Sequence, residues 1–463
     1  MAQRLFVLLG LMLAGCSENP VVVFPPAGEA VYDSQPIPAY GATPTPQQRS
    51  WQDMEVNAFI HFGVNTFTGN EWGTGDESPS VFNPTALDAR QWAAAAQAGG
   101  VRGLILTAKH HDGFALWPTP TSSHDVASSP WRGGEGDVVR ELSEATRAFN
   151  LEFGIYLSPW DRHEPKWGTP AYNEFYMAQM YELTRPGTSN YGRLFEVWLD
   201  GAHGDEVTQE QLDTYESTRW IREIRDHQPG AVIAFSRDVQ YSGNEDGLAP
   251  ETYWNDQYGY WSPMECNTPF RGGWFWHADE NPKSVSELVE IYFRTVGRDC
   301  VLLLGLAPDR RGLLEDEDVA RLREWRATLD ELFETDLARG REAVASSTRE
   351  GGRGWEAGAA VDGDPDSFWA SAERTGSVEV DLADERRVGV VEIREPIRYG
   401  QRVSAFSIEA EVGGAWREVA SGTTVGRRRL FRLDAVRARR WRLTIEASRA
   451  EPAISTFALY REP

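Results

Sequence analysis

The sequence predicts an α/β chain in which a (β/α)8-type barrel is followed by an antiparallel β-sandwich. Three observations predict it. Between about residues 56 and 333 short apolar runs alternate with helical periodicity, which favours a parallel sheet with helical crossovers. From Arg341 the pattern changes to short alternating runs separated by turn residues, as antiparallel strands require. The charge changes at the same place. The 463 residues carry a formal net charge of −24, yet residues 340–463 hold 20 Arg, no Lys and 20 Asp+Glu, so the whole acidic excess lies before Gly340. All eight His lie there too, between His61 and His277. With 41% hydrophobic and 25% charged residues the chain is neither fibrous nor wholly disordered, and its acidity argues against binding nucleic acid. The 18 Trp suit flat apolar ligands such as sugar rings, although a large core also absorbs Trp.

The first residues read as an address. Arg4, the apolar run from Leu5 to Leu13 and the small residues Ala14-Gly15 form a short signal peptide over 1–15. Leu13-Ala14-Gly15-Cys16 resembles the bacterial lipobox, which implies lipidation of Cys16. Ser17 after it implies an exported, outer-membrane lipoprotein held by acyl chains alone. Residues 16–50, with seven Pro, read as an extended tether. The barrel is then expected over 51–335. Its strands are expected at 56–60, 103–107, 151–157, 195–199, 231–235 and 300–304, with helices at 88–98, 137–149, 171–183, 209–227 and 285–296. Residues 241–282 show no clean period, so strands six and seven are unplaced. Cys266 and Cys300 read equally as a disulfide of an exported protein or as buried thiols.

In such barrels the reactive groups stand at the C-terminal ends of the strands. Here those ends carry His61, His110, His111, Tyr156 and Asp200. Asp200 closes an apolar strand two residues after Trp198, so it is expected to be partly desolvated, as a nucleophilic carboxylate would be. A retaining glycosidase needs a second carboxyl about 5–5.5 Å away. Glu245, in a Gly-flanked loop on the same barrel face, is the candidate, with Glu251 as the fallback. Metal hydrolysis is disfavoured: Phe62-Gly63 follows His61 where a His-x-His pair would chelate, and the adjacent His110-His111 diverge when extended. No Walker-type phosphate loop and no serine elbow is visible.

The strings Phe59-Ile60-His61-Phe62-Gly63, Asn70-Glu71-Trp72-Gly73, Lys109-His110-His111-Asp112-Gly113 and Tyr156-Leu157-Ser158-Pro159-Trp160 resemble the α-L-fucosidases of glycoside hydrolase family 29. So do Glu196-Val197-Trp198-Leu199-Asp200-Gly201 and Gly272-Gly273-Trp274-Phe275-Trp276-His277. The resemblance implies a retaining exo-hydrolase of terminal α-linked L-fucose that needs no cofactor for catalysis. Asp200 falls on the family nucleophile. Glu71-Trp72-Gly73, Ser158-Pro159-Trp160-Asp161-Arg162 and Gly243-Asn244-Glu245 resemble the subgroup that prefers α-1,3/1,4 fucosides of Lewis type, in which Glu245 falls on the acid/base. His61, Glu71, His110, His111 and Tyr156 fall where the family hydrogen-bonds fucose hydroxyls. Trp72 and Trp276 fall where apolar faces cover the sugar ring and its methyl group, and Trp198 is a further candidate for substrate binding. Gln240 stands where relatives carry Arg, with Arg237 three residues earlier to compensate.

Residues 340–463 resemble the discoidin, or factor 5/8 C-type, fold. That resemblance implies a structural Ca²⁺ near Asp362, Asp364 and Asp366, whose carboxylates alternate along the chain; the run reads equally as a metal-free Asp-rich turn. The expected partners are a fucosylated glycan and, through the anchor, a membrane. The rival to an enzyme is a catalytically inactive fucose-binding lipoprotein.

Overall fold

A computed structural model describes residues 37–187, 191–350 and 354–461. The signal peptide, Cys16 and the first part of the Pro-rich segment lie outside the described residues. Eight strands form the barrel: β1 (Val56–Ile60), β2 (Gly103–Lys109), β3 (Glu152–Leu157), β4 (Glu196–Trp198), β5 (Val232–Ala234), β6 (Gln240–Tyr241), β7 (Met264–Pro269) and β8 (Cys300–Leu306). They pair in parallel in the order β5-β4-β3-β2-β1-β8-β7-β6, and the ring is nearly closed. Across the seam between β5 and β6 runs a parallel bridge from Ala234 to Val239.

The helices are α1 (Pro46–Gln52), α2 (Val64–Thr68), α3 (Ala89–Ala98), α4 (Val138–Ala148), α5 (Tyr172–Thr184), α6 (Gln209–Leu212), α7 (Ser217–His227), α8 (Val285–Arg294) and α9 (Asp316–Phe333). The sequence marks where they start. Asp88 accepts from the N–H of Arg90 and Gln91 ahead of α3, and Asp137 from that of Arg140 ahead of α4, each satisfying donors that a helix start leaves free. Alternate residues of the strands then divide the core. Leu104, Leu106, Ile155, Val197 and Leu302 face the helices, while Phe59, Ile105, Tyr156, Trp198, Val301 and Leu303 fill the barrel interior.

Three expectations change. The tether does not extend to residue 50: Pro46 opens α1 behind a Thr45/Gln48 capping box, and Ile37 is buried against Trp355 and Phe368 of the C-terminal module. The helix expected at 209–227 is two, α6 and α7. Asn173 fixes the break by donating to Thr214 O (2.8 Å) and accepting from Glu216 N (2.9 Å). Finally, Cys266 and Cys300 are joined as a disulfide across β7 and β8.

The module after α9 is an antiparallel β-sandwich with its own core around Trp369, Val380, Ile393, Trp441 and Leu443. Its strands are β9 (Glu342–Ala345), β10 (Trp369–Ala370), β11 (Gly376–Arg394), β12 (Val403–Val412), β13 (Ala415–Gly422), β14 (Arg429–Ser448), β15 (Ala453–Ile454) and β16 (Thr456–Tyr460). Breaks of register in β11 between Asp381 and Arg386 let its first half pair with β9 and its second with β16. Arginines of the module clamp it to the barrel. Arg428 reaches Glu55 before β1 (2.8 Å) and Glu392 of β11 (2.9 Å), while Arg427 reaches Glu55 and Asp53 (2.9 Å each).

The expected calcium ligands do not fit a metal. Asp362 Oδ1 accepts from Asp364 N (2.8 Å) and its Oδ2 from Ser367 Oγ (2.7 Å). Asp364 Oδ1 accepts from Asp366 N, and Asp366 pairs with Arg398. Asp362 and Asp364 turn back into their own loop, while Asp366 turns to Arg398. Among the described residues no group of three or more His, Cys, Asp or Glu is arranged to hold a metal ion.

Candidate active site

At the C-terminal ends of the strands lies a pocket of about 320 Å³. It is lined by Phe59, His61, Trp72, His110, His111, Tyr156, Trp198 and Asp200 from the first half of the barrel, and by Phe235, Tyr241, Glu245, Asn267 and Trp274 from the second. Asp200 follows β4, and strand alternation points it the same way as Trp198. Its Oδ2 accepts from the Tyr156 hydroxyl (2.7 Å) and its Oδ1 from Ala202 N (2.8 Å). Burial is the largest influence on this carboxyl and raises its pKa. The hydrogen bonds from Tyr156 and from the backbone at Ala202 and Gly201 restrain the rise by favouring the anion. The carboxyl side chain keeps 14% of its surface exposed, enough to meet a ligand.

Three imidazoles form the wall opposite. His110 and His111 are rigid because Lys109 beside them is buried in an ion pair with Asp161 (2.7 Å) and sits over the rings of Tyr172, Phe175 and Tyr176. The Ser158 hydroxyl donates to Trp160 O (2.6 Å), so at 2.7 Å it accepts from Nδ1 of His111. His111 therefore carries its proton on Nδ1, and the lone pair of Nε2 is free to accept; that atom stands 3.6 Å from Asp200 Oδ2. Asn65 Nδ2, which also donates to Glu71 O (3.2 Å), approaches Nδ1 of His110 at 3.5 Å. Burial, helped by neighbouring positive charge, depresses all three rings: His111 lies at about 3, and His61 and His110 lie well below the usual range. They are neutral at any physiological pH.

Aromatic residues set the shape. Phe59 meets Tyr156 and Trp198 edge-on, and Trp198 stacks on Tyr156 with centroids 5.4 Å apart. Trp274 lies against His61 at 5.0 Å. Trp72 is 44% exposed at the rim, edge-on to His111 and Trp160, and Arg162 holds its loop by donating to Gly73 O (2.6 Å). Phe235 also lines the pocket, against Trp198 and Tyr241; it is 40% exposed, with backbone φ +61°, a left-handed conformation disfavoured for a bulky residue. Gly201 makes room for it, since a Cβ there would come within 2.9 Å of the Phe235 ring.

Two expected sugar contacts sit elsewhere. Glu71 does not line the pocket: it accepts from Trp274 N (2.8 Å), Phe275 N (3.3 Å) and His277 Nε2 (2.7 Å), and so fixes the loop that carries Trp274. Gly273 lets it approach, because a Cβ would lie 2.3 Å from its Oε1. Trp276 is turned away beneath Arg310, and Trp274 of the same string lines the pocket instead. The fallback acid Glu251 is engaged by Arg298 and Arg429, and the Arg237 guanidinium packs over Tyr260. Sequence reasoning missed Phe59, Phe235, Tyr241, Asn267 and Trp274. Phe59 was recoverable from its two-residue spacing to His61.

Both parts of the chain match known families. The profile of the α-L-fucosidase family matches residues 39–330, and that of the NedA-like galactose-binding domain matches residues 359–443. Alpha-L-fucosidase 1 of Arabidopsis thaliana is 41% identical over 450 residues, covering 90% of this chain and 87% of its own length. The crystal structure of SpGH29 superposes with a TM-score of 0.87 at 39% identity, over 92% of this chain and all of the other. A Ruminococcus gnavus GH29 fucosidase in complex with fucose gives the same TM-score at 30% identity, over 94% and 97% of the two chains.

Proposed function

The chain belongs to glycoside hydrolase family 29, the α-L-fucosidases, and on that premise we propose that it releases terminal α-linked L-fucose with net retention, Asp200 as nucleophile and Glu245 as acid/base. The observation that carries this reading is one pocket lined both by a half-buried, hydrogen-bonded carboxylate, Asp200, and by an exposed one, Glu245. Asp200 attacks the anomeric carbon as Glu245 gives its proton to the departing glycosidic oxygen, leaving a fucosyl ester on Asp200. Glu245, now a base, takes a proton from water as that water attacks the anomeric carbon, and the bond from that carbon to Asp200 breaks to release the carboxylate. The neutral imidazoles offer both donors and acceptors to the fucose hydroxyls, and the aromatic walls cover the carbon that lacks a hydroxyl.

The substrate preference we infer is for branched α-1,3/1,4-linked fucose of Lewis type. It is supported by the Glu71-Trp72-Gly73 and Gly243-Asn244-Glu245 strings and by Trp72 and Phe235, which give the leaving sugars aromatic faces at the mouth. The lipobox at Cys16 supports export and acyl anchoring at the outer membrane. Incubation with a Lewis-type trisaccharide beside an aryl α-L-fucoside tests the reading. Release of fucose from the trisaccharide at the higher kcat/KM is expected. Preference for the aryl substrate would reject the linkage assignment, and binding without release from either would reject the mechanism.

A further inference from the structure

Beneath the pocket, inside the barrel, two acids face one another. Glu196 on β4 and Glu265 on β7 are 0% and 1% exposed. Each gives one oxygen to an indole: Trp51 Nε1–H donates to Glu196 Oε2 (2.7 Å) and Trp198 Nε1–H to Glu265 Oε2 (2.6 Å). The remaining oxygens, Glu196 Oε1 and Glu265 Oε1, have no donor from any other described residue. With both groups ionised those oxygens would meet as two like charges in a low-dielectric core; one proton between them supplies the missing donor.

The surroundings offer no compensating charge. Around the pair α1 contributes Trp51, β1 Phe59, β2 Ile105, β5 Val232 and β8 Val301 and Leu303, all uncharged. The titratable neighbours are Tyr156 on β3, Asp200 beyond β4, Tyr241 on β6 and the neutral imidazoles of His61, His110 and His111, all on the pocket side. Burial is the largest influence on both carboxyls, and no cation offsets it. A floor required only to fill space would be better built from apolar side chains. What this one does is orient an indole. Trp198 stacks on Tyr156, and the Tyr156 hydroxyl holds Asp200.

We propose that Glu196 and Glu265 share a single proton and act as a positioning pair, fixing Trp198 so that Tyr156 is aimed at Asp200. Loss of that proton sets two anions against each other, frees the indole and withdraws Tyr156 from the nucleophile. The sign follows from the raised carboxyls. Burial raises both carboxyls above their ordinary value of 4.5, so the stabilisation that comes with the shared proton is present at low pH and is lost as pH rises through the pair's raised value. The enzyme thus carries an alkaline limit separate from any ionisation of Glu245.

The inference rests on Asp200 being the nucleophile, and Asp200→Ala run alongside separates the two: an active D200A rejects that reading, whatever the acid pair does. Glu196→Leu should lower kcat at pH 6 at least tenfold, with KM changed less than threefold. Glu196→Gln should restore most of the loss, because its amide can accept from Trp51 and donate to Glu265. The alkaline decline of both kcat and Tm should be displaced upward by at least one pH unit in E196Q relative to wild type. If E196L does not fold, the E196Q profiles alone decide. Wild-type and E196Q profiles that superimpose overturn the proposal, and so does an E196Q that cannot fold, since the amide preserves every hydrogen bond the proposal requires.

Discussion

At the scale of single residues, the chemistry depends on how each side chain is held. Asp200→Ala removes the group fixed by Tyr156 and Ala202 and should abolish turnover of every fucoside, whereas Glu245→Ala should divide substrates by leaving group. On a trisaccharide E245A should lose roughly 100-fold or more in kcat, the usual size of a general-acid contribution, and on an activated aryl fucoside far less. Equal losses would sink the acid assignment. Phe235→Ala removes an exposed face at the mouth and should raise KM for the trisaccharide while sparing the aryl substrate. The His ring protons offer a further check by NMR: His111, depressed to about 3, and its two neighbours should show no titration between pH 5 and 8. A midpoint near 6.5 for any of them would contradict the buried, neutral wall. The strand-end residues were legible because apolar strands ending in His, Tyr or Asp have few structural explanations. Phe235 was not, because nothing in Ala234-Phe235-Ser236 announces a left-handed backbone. Nor was the choice of Trp274 over Trp276, which Glu71 makes by gripping the backbone of their loop.

At the scale of elements, regular apolar periods were read correctly and irregular ones were not. Strands β1 to β5 and β8 announce themselves by apolar runs, and α3 and α4 by their Asp caps. Strands β6 and β7 hide for physical reasons. The first is two residues long, and the second turns Glu265 and Asn267 into the barrel where an apolar alternation would be sought. The disulfide belongs to this scale. It closes a loop across a sequence separation of 34 between β7 and β8, with both Cys buried beside Ala249, Tyr253 and Met264, away from the pocket. Replacing both Cys by Ala should lower stability by about 2–4 kcal/mol, a fall of several degrees in Tm, and leave kcat at 25 °C little changed. An unchanged Tm would show that the bond contributes nothing to holding the two strands.

At the scale of the whole molecule, barrel and sandwich meet through charge. Burial would raise Glu392, but Arg394 and Arg428 outweigh it and hold the carboxyl at about 2, while Glu55 is depressed further by Arg428, Arg427 and Arg394. Such groups contribute stability that is fully present above about pH 4.5 and lost as pH falls towards 2, so the molecule should fail first in acid at this junction. Arg428→Met leaves the buried Glu392 and the half-buried Glu55 with fewer partners and should cost about 3 kcal/mol at pH 7; a loss below 0.5 kcal/mol would show that Arg427 and Arg394 suffice. The division of charge at Gly340 falls between α9 and β9, but the pairing of Arg428 with Glu55 joins positions 373 residues apart and has no local signature. Barrel residues line the active-site pocket, and its proposed action has a direct stereochemical readout. Proton NMR of an aryl α-L-fucoside during the first minutes of hydrolysis distinguishes the anomers before mutarotation. Double displacement through Asp200 requires α-L-fucose to form first, and β-L-fucose as the first product would contradict it.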